Sequence, residues 1–92
     1  QNYMQPGTML TSMYKKVGLA AYNSFAAAVA GNWEAGFSVN GVAEDGVGAA
    51  MDEYNADLVS ADMLAAVDAA RAAIISGDIV VHDYMSDNSC PL

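Results

Sequence analysis

His82 and Cys90 are the only histidine and the only cysteine in the sequence, eight residues apart near its end. A thiolate activated by an imidazole is the chemistry such a pair would perform. Both fall in a polar stretch, where a preorganised pocket is hard to build, so His82 reads as a strand-end residue. Cys90 reads as a free thiol or as half of a disulfide to a cysteine elsewhere, the latter only in an oxidising compartment. One cysteine excludes an internal disulfide and any multi-cysteine zinc site.

The loop Gly41-Val42-Ala43-Glu44-Asp45-Gly46-Val47-Gly48 has the glycine density of a phosphate cradle. It lacks the Lys-Ser/Thr that closes a Walker A motif, and Glu44-Asp45 would repel a phosphate. It therefore reads as a turn whose glycines take positive φ angles. Asp52, Glu53 and Asp57 lack the dense oxygen spacing of a calcium loop and read as a solvated acidic face. Lys15 stands apart: it ends a strand-like run and precedes a helix-like one. The carboxyl ends of strands in open α/β sheets are where ligands bind, and a lysine there donates hydrogen bonds to hydroxyl, carbonyl or ring-nitrogen acceptors. The competing reading of Lys15 and Lys16 is a solvated lysine pair. Ser12 and Tyr14 are its neighbours on the strand, more suited to packing than to contact.

The elements that would position these residues follow from periodicity. Residues 1–7 form a loop with a Pro6-Gly7 turn signal. Residues 8–14 mix Thr, Tyr and apolar side chains over a strand length. Val17, Ala21, Phe25 and Val29 recur every four residues, predicting a helix over 17–30 with a buried face and a stop at Gly31. Phe37-Ser38-Val39-Asn40 alternates as a half-buried strand, residues 41–50 form a loop, and residues 52–57 a single helical turn. Ser60 caps a second helix whose apolar positions are Met63, Val67, Ala70 and Ile74, and Gly77 ends it. Ile79-Val80-Val81 is a third short strand, and residues 83–92 are a polar tail. The order strand–helix–strand–helix–strand predicts an α/β fold. Three short strands and two helices leave sheet edges open and little core, so these elements are expected to complete a larger body. The start at Gln1, without Met, fits removal of a preceding part or a piece of a longer chain.

Composition narrows the function classes. The 92 residues are 54% hydrophobic and 15% charged, with three cations against eleven acids and a net charge of −8. That balance argues against binding nucleic acid or anionic membranes, which needs clustered Lys or Arg. All eleven acids lie at or after Glu34. No stretch reaches the roughly 18 apolar residues of a membrane helix, because Asn23 and Ser24 interrupt the best candidate.

Three segments together carry a likeness. Gln1, Pro6-Gly7 and Leu10-Thr11-Ser12-Met13-Tyr14-Lys15-Lys16-Val17 resemble the Asp-Gln…Leu-Thr-Ser-x-x-Lys-x-Val stretch of the basic membrane protein family. These are substrate-binding proteins of ABC importers, among them purine nucleoside receptors. The loop at 41–48 is similar to that family's Gly-Leu-x-Glu-x-Gly-Val-Gly. Ala73-Ile74-Ile75-Ser76-Gly77-Asp78-Ile79-Val80-Val81 is similar to its final Ile-x-x-Gly-x-Ile-x-Val. The likeness spans nearly the whole chain, in order. It implies the C-terminal part of a type I periplasmic-binding-protein-like fold with two lobes, the strand at about 8–15 crossing the hinge and the ligand lying between lobes. Lys15 matches the family lysine that helps hold a nucleoside's sugar or base. The aspartate that precedes Gln1 in the family, and the aromatic residues that sandwich the base, would lie upstream. Gly18 departs from the acidic residue common at that position, and the tail from His82 is longer than in many members.

The resemblance implies an extracytoplasmic or periplasmic binding component, with Lys15 as the ligand donor and Ser12 and Tyr14 beside it. A nucleoside-like molecule and a transporter permease are the implied partners, and an upstream lipid anchor the only implied tether to the membrane. No cofactor, metal or bond-making chemistry is implied. The alternatives are a ligand-sensing module of a regulator with the same fold, an α/β enzyme fragment with its catalytic residues upstream, and a stand-alone acidic domain.

Overall fold

The computed structural model describes residues 1–91; the last residue of the predicted tail, Leu92, lies outside them. A 3-10 turn at Asn2–Met4 precedes strand β1 (Met13–Lys15), helix α1 (Val17–Val29), strand β2 (Val47–Ala49), helix α2 (Ala61–Ser76) and a short helix α3 (Tyr84–Asp87). The protein is thus a mixed helix-and-strand structure around one small sheet. β1 and β2 are antiparallel, in the register Met13↔Ala49, Tyr14↔Gly48, Lys15↔Val47.

The helices follow their sequence signals closely. α1 closes in a Schellman motif: Asn32 N–H donates to the Ala27 carbonyl at 2.8 Å, Gly31 N–H to Ala28 at 3.2 Å, and Gly31 sits at φ +76°. At α2, Ser60 Oγ accepts from Met63 N–H at 3.2 Å, Asp62 occupies the positive end of the dipole, and Gly77 ends the helix at φ +88°.

The strands depart from expectation. Residues 8–14 are not one strand: Thr8 belongs to a turn, and only Met13–Lys15 is paired. Residues 37–40 and 79–81 are not strands, because no neighbouring strand offers them ladder bonds; Phe37 is fully exposed. β2 instead falls inside the predicted loop. Residues 52–57 form successive turns rather than a helical turn, and the polar tail contains α3, capped by Asp83 through Met85 N–H at 2.9 Å.

The predicted buried face of α1 is not buried. Val17, Tyr22, Phe25 and Val29 are 70–91% exposed, and no hydrophobic side chain among the described residues is buried. The only pair of elements in contact among the described residues is β1 with β2. The radius of gyration is 16.4 Å, against about 12 Å for a compact domain of this length. The accessible surface is 7362 Å², against roughly 5,000 Å² for a compact monomer of this mass. The excess of roughly 2,300 Å² matches one partner's share of a large obligate interface. The residues form their local elements without enclosing a core.

What is buried is polar. Asn2 and Asn55 are 2% and 1% exposed. Asn55 Nδ2 donates to the carbonyls of Leu10 and Ala50 at 2.7 and 3.0 Å, and its Oδ1 accepts from Asp52 N–H at 2.9 Å. Asn2 Nδ2 donates to Asp52 Oδ2 at 3.1 Å, and its Oδ1 accepts from Ser12 Oγ at 2.6 Å. These bonds clasp residues 1–12 to residues 50–55 and fix the approach of the chain into β1. Asp52 is therefore a partner in this clasp, not merely part of a solvated acidic face.

Candidate functional site

Lys15 closes β1, Lys16 caps α1, and the groove between them is the setting the sequence points to. The cleft holds about 280 Å³ and is lined by Lys15, Lys16, Val17, Asn23, Asn40 and Val47, among others. Lys15 is exposed and enters no ion pair among the described residues. α1 begins without a side-chain cap, so its first N–H groups remain open at this end.

The two weaker candidates are engaged elsewhere. The Ser12 hydroxyl donates into the asparagine clasp. Tyr14 lies against Gly48, its cross-strand partner: a Cβ on Gly48 would stand 2.6 Å from the Tyr14 hydroxyl oxygen. The ring covers the space that glycine leaves, a packing role on the sheet. Ser12 is thus committed by its hydroxyl and Tyr14 by its ring, whereas Lys15 reaches the groove with an ammonium that enters no ion pair among the described residues.

Behind the lysines lies a charge cluster that the sequence reading missed. Asp45 accepts from Lys16 Nζ through one oxygen and from Arg71 Nη2 at 3.0 Å through the other. The Lys16 hydrogen bond, then that of Arg71, holds the Asp45 carboxyl below its ordinary range. Asp45, read from sequence as a repellent of phosphate, is thus neutralised twice over. It reaches both cations because it adopts φ +57°, a left-handed conformation that aspartate tolerates. The loop glycines depart from expectation here: Gly41, Gly46 and Gly48 do not take positive φ. Gly46 is required by proximity, since a Cβ there would stand 2.4 Å from the Asn40 carbonyl oxygen. Glu44 closes the turn by accepting from Gly41 N–H at 2.8 Å.

A second, apolar groove of about 420 Å³ separates the sheet from α2, with Met13, Val47 and Ala49 facing Val67, Ala70 and Ile74. The remaining candidates are apart from both grooves. His82 Nε2 lies 3.2 Å from Asp87 Oδ1 and 3.0 Å from the Ser89 carbonyl, so the ring engages the end of α3 rather than Cys90. Cys90 is a free, exposed thiol. Among the described residues no three His, Cys, Asp or Glu side chains converge as metal ligands, and no helix is long and apolar enough to cross a membrane.

No family model, curated protein or solved structure matches this chain.

Proposed function

We propose that this chain is the C-terminal segment of an extracytoplasmic solute-binding protein of an ABC importer, of type I periplasmic-binding architecture. It binds a purine nucleoside or a related small molecule between two lobes and delivers it to a permease, without making or breaking bonds. The observation that carries the reading is the setting of Lys15: an ammonium unpaired among the described residues, at the end of a strand and two residues before a helix, on the rim of a groove. Lys15 donates a hydrogen bond to the ligand, while Ser12 and Tyr14 support the strand that presents it. The uncovered stripe of α1 and the open groove beside α2 fit the same reading, because a two-lobed protein would supply the layers that cover them.

The test is the coding sequence immediately upstream of Gln1. The reading expects an open frame that continues through an Asp codon to a signal peptide or a lipoprotein cysteine. A start codon directly before Gln1 would overturn it, and a helix-turn-helix upstream would replace it with a regulator's sensing module.

A further inference from the structure

We infer that the groove between the end of β1 and the first turn of α1 is a subsite for an oxyanion carried on a small ligand. Lys15 and Lys16, with the side-chain amides of Asn23 and Asn40, would hold it. The inference rests on the binding-protein reading and narrows its ligand class from neutral nucleosides to molecules bearing a phosphate or a carboxylate.

The charge distribution points there. The chain holds three cations and eleven acids, yet two of the three cations line this groove and none of the acids does. Lys16 is fixed by Asp45, which also holds Arg71, so those three residues carry a net charge of +1. Lys15 adds a second positive charge and has no counter-ion among the described residues. In a chain of net charge −8, this open groove gathers two of the three cations on one rim, where an anion meets attraction.

The donor set agrees with the charge. Asn23 and Asn40 flank the groove, and among the described residues their side-chain amides donate to no protein group, leaving N–H donors for a ligand. The uncapped first turn of α1 adds open backbone N–H groups at the same end. A neutral sugar is commonly met by a carboxylate that accepts from its hydroxyls; this groove offers ammonium and amide groups instead. Its volume of about 280 Å³ takes a phosphate or carboxylate with part of the attached body and leaves the remainder to protrude.

The experiment is calorimetric titration of the native-length protein with adenosine, adenosine 5′-monophosphate, adenosine-5′-carboxylic acid and inorganic phosphate. At low salt the inference expects at least one anionic nucleoside derivative to bind roughly tenfold or more tightly than adenosine, as a charged hydrogen bond implies. The preferred derivative distinguishes phosphate from carboxylate. The advantage should shrink as salt rises from about 0.05 to about 0.3 M. It should also shrink in Lys15→Gln, which keeps an amide donor but loses the charge. Adenosine binding as tightly as both anionic derivatives would overturn the oxyanion subsite and leave the nucleoside-binding reading standing. An absence of binding by all four probes would overturn both.

Discussion

Asp45 and Arg71, twenty-six residues apart, meet in a hydrogen-bonded ion pair of 3.0 Å, and the same carboxylate holds Lys16. One side chain in a six-residue turn thereby ties the end of β1 to the face of α2. It is a polar link to α2 in a structure with no buried hydrophobic side chain among the described residues. The link also fixes Lys16 on the wall of the groove that Lys15 lines.

The depressed Asp45 pKa fixes the sign of a pH effect. The ion pairs favour the ionised carboxylate, so their stabilisation is full above the ordinary aspartate value of about 4. It disappears as pH falls through the lower folded value. Asp45→Asn should therefore lower Tm at neutral pH, with a deficit that shrinks as pH falls into the acid range below the ordinary aspartate value. Thermal melts of the native-length protein from neutral pH into the acid range check this. An equal deficit at both ends would mean that the substitution acts through the turn and not through charge.

Gly46 and Gly48 should respond differently to alanine. The Cβ at position 46 meets the fixed backbone oxygen of Asn40 at 2.4 Å, whereas at position 48 it meets the movable ring of Tyr14. Gly46→Ala is expected to cost about 1–3 kcal/mol, as overpacking does. Gly48→Ala should cost clearly less, because the ring can rotate aside. Urea denaturation of the two variants of the native-length protein side by side decides it, and the reverse order would contradict the geometry.

The asparagine clasp gives a third test. Replacing Asn55 by alanine leaves the Leu10 carbonyl without its side-chain donor and the Asp52 N–H without its acceptor, while Ala50 keeps Thr11 Oγ1, for an expected loss of roughly 1–3 kcal/mol. Asn55→Asp keeps the shape but removes the donor, and should be at least as damaging because it also places a carboxylate beside Asp52. Hydrogen exchange should show faster opening of residues 9–12 and 50–52 in both variants. Protection unchanged from wild type would mean that the clasp contributes nothing.

The helices were legible because their signals are local. A serine cap, a glycine stop and a four-residue apolar repeat specify α1 and α2 without reference to the rest of the chain. The strands were not. A strand exists only where a partner supplies ladder bonds, so the alternation at 37–40 and the β-branched run at 79–81 remain unpaired. Val47–Ala49, with two small residues out of three, pairs because the turn built on Asp45 brings it alongside β1. Lys15 was legible as a candidate from its place between strand and helix. Asn23 and Asn40 were not, because only the fold brings residues on a helix and on a loop to one groove. The polar clasp left no pattern either: Asn2, Ser12, Asp52 and Asn55 look like ordinary loop residues until the backbone brings them together.

The uncovered apolar surface predicts how the 92-residue chain behaves alone. With no buried hydrophobic side chain among the described residues, it should retain helical far-UV circular dichroism, bind a hydrophobic dye, and sediment as more than a monomer at micromolar concentration. A dye-negative monomer that unfolds in one cooperative transition would show that the chain closes a core of its own and needs no covering body.

The central claim is that Lys15 donates to a ligand held in the groove, and its most direct test is nucleoside affinity of the native-length protein with and without that side chain. Calorimetry should show Lys15→Ala losing about 1–3 kcal/mol of binding free energy while Tm stays unchanged, because a ligand acceptor is left unpaired and no fold contact is removed. Equal affinity in the two proteins would contradict the claim and return Lys15 to an ordinary solvated lysine.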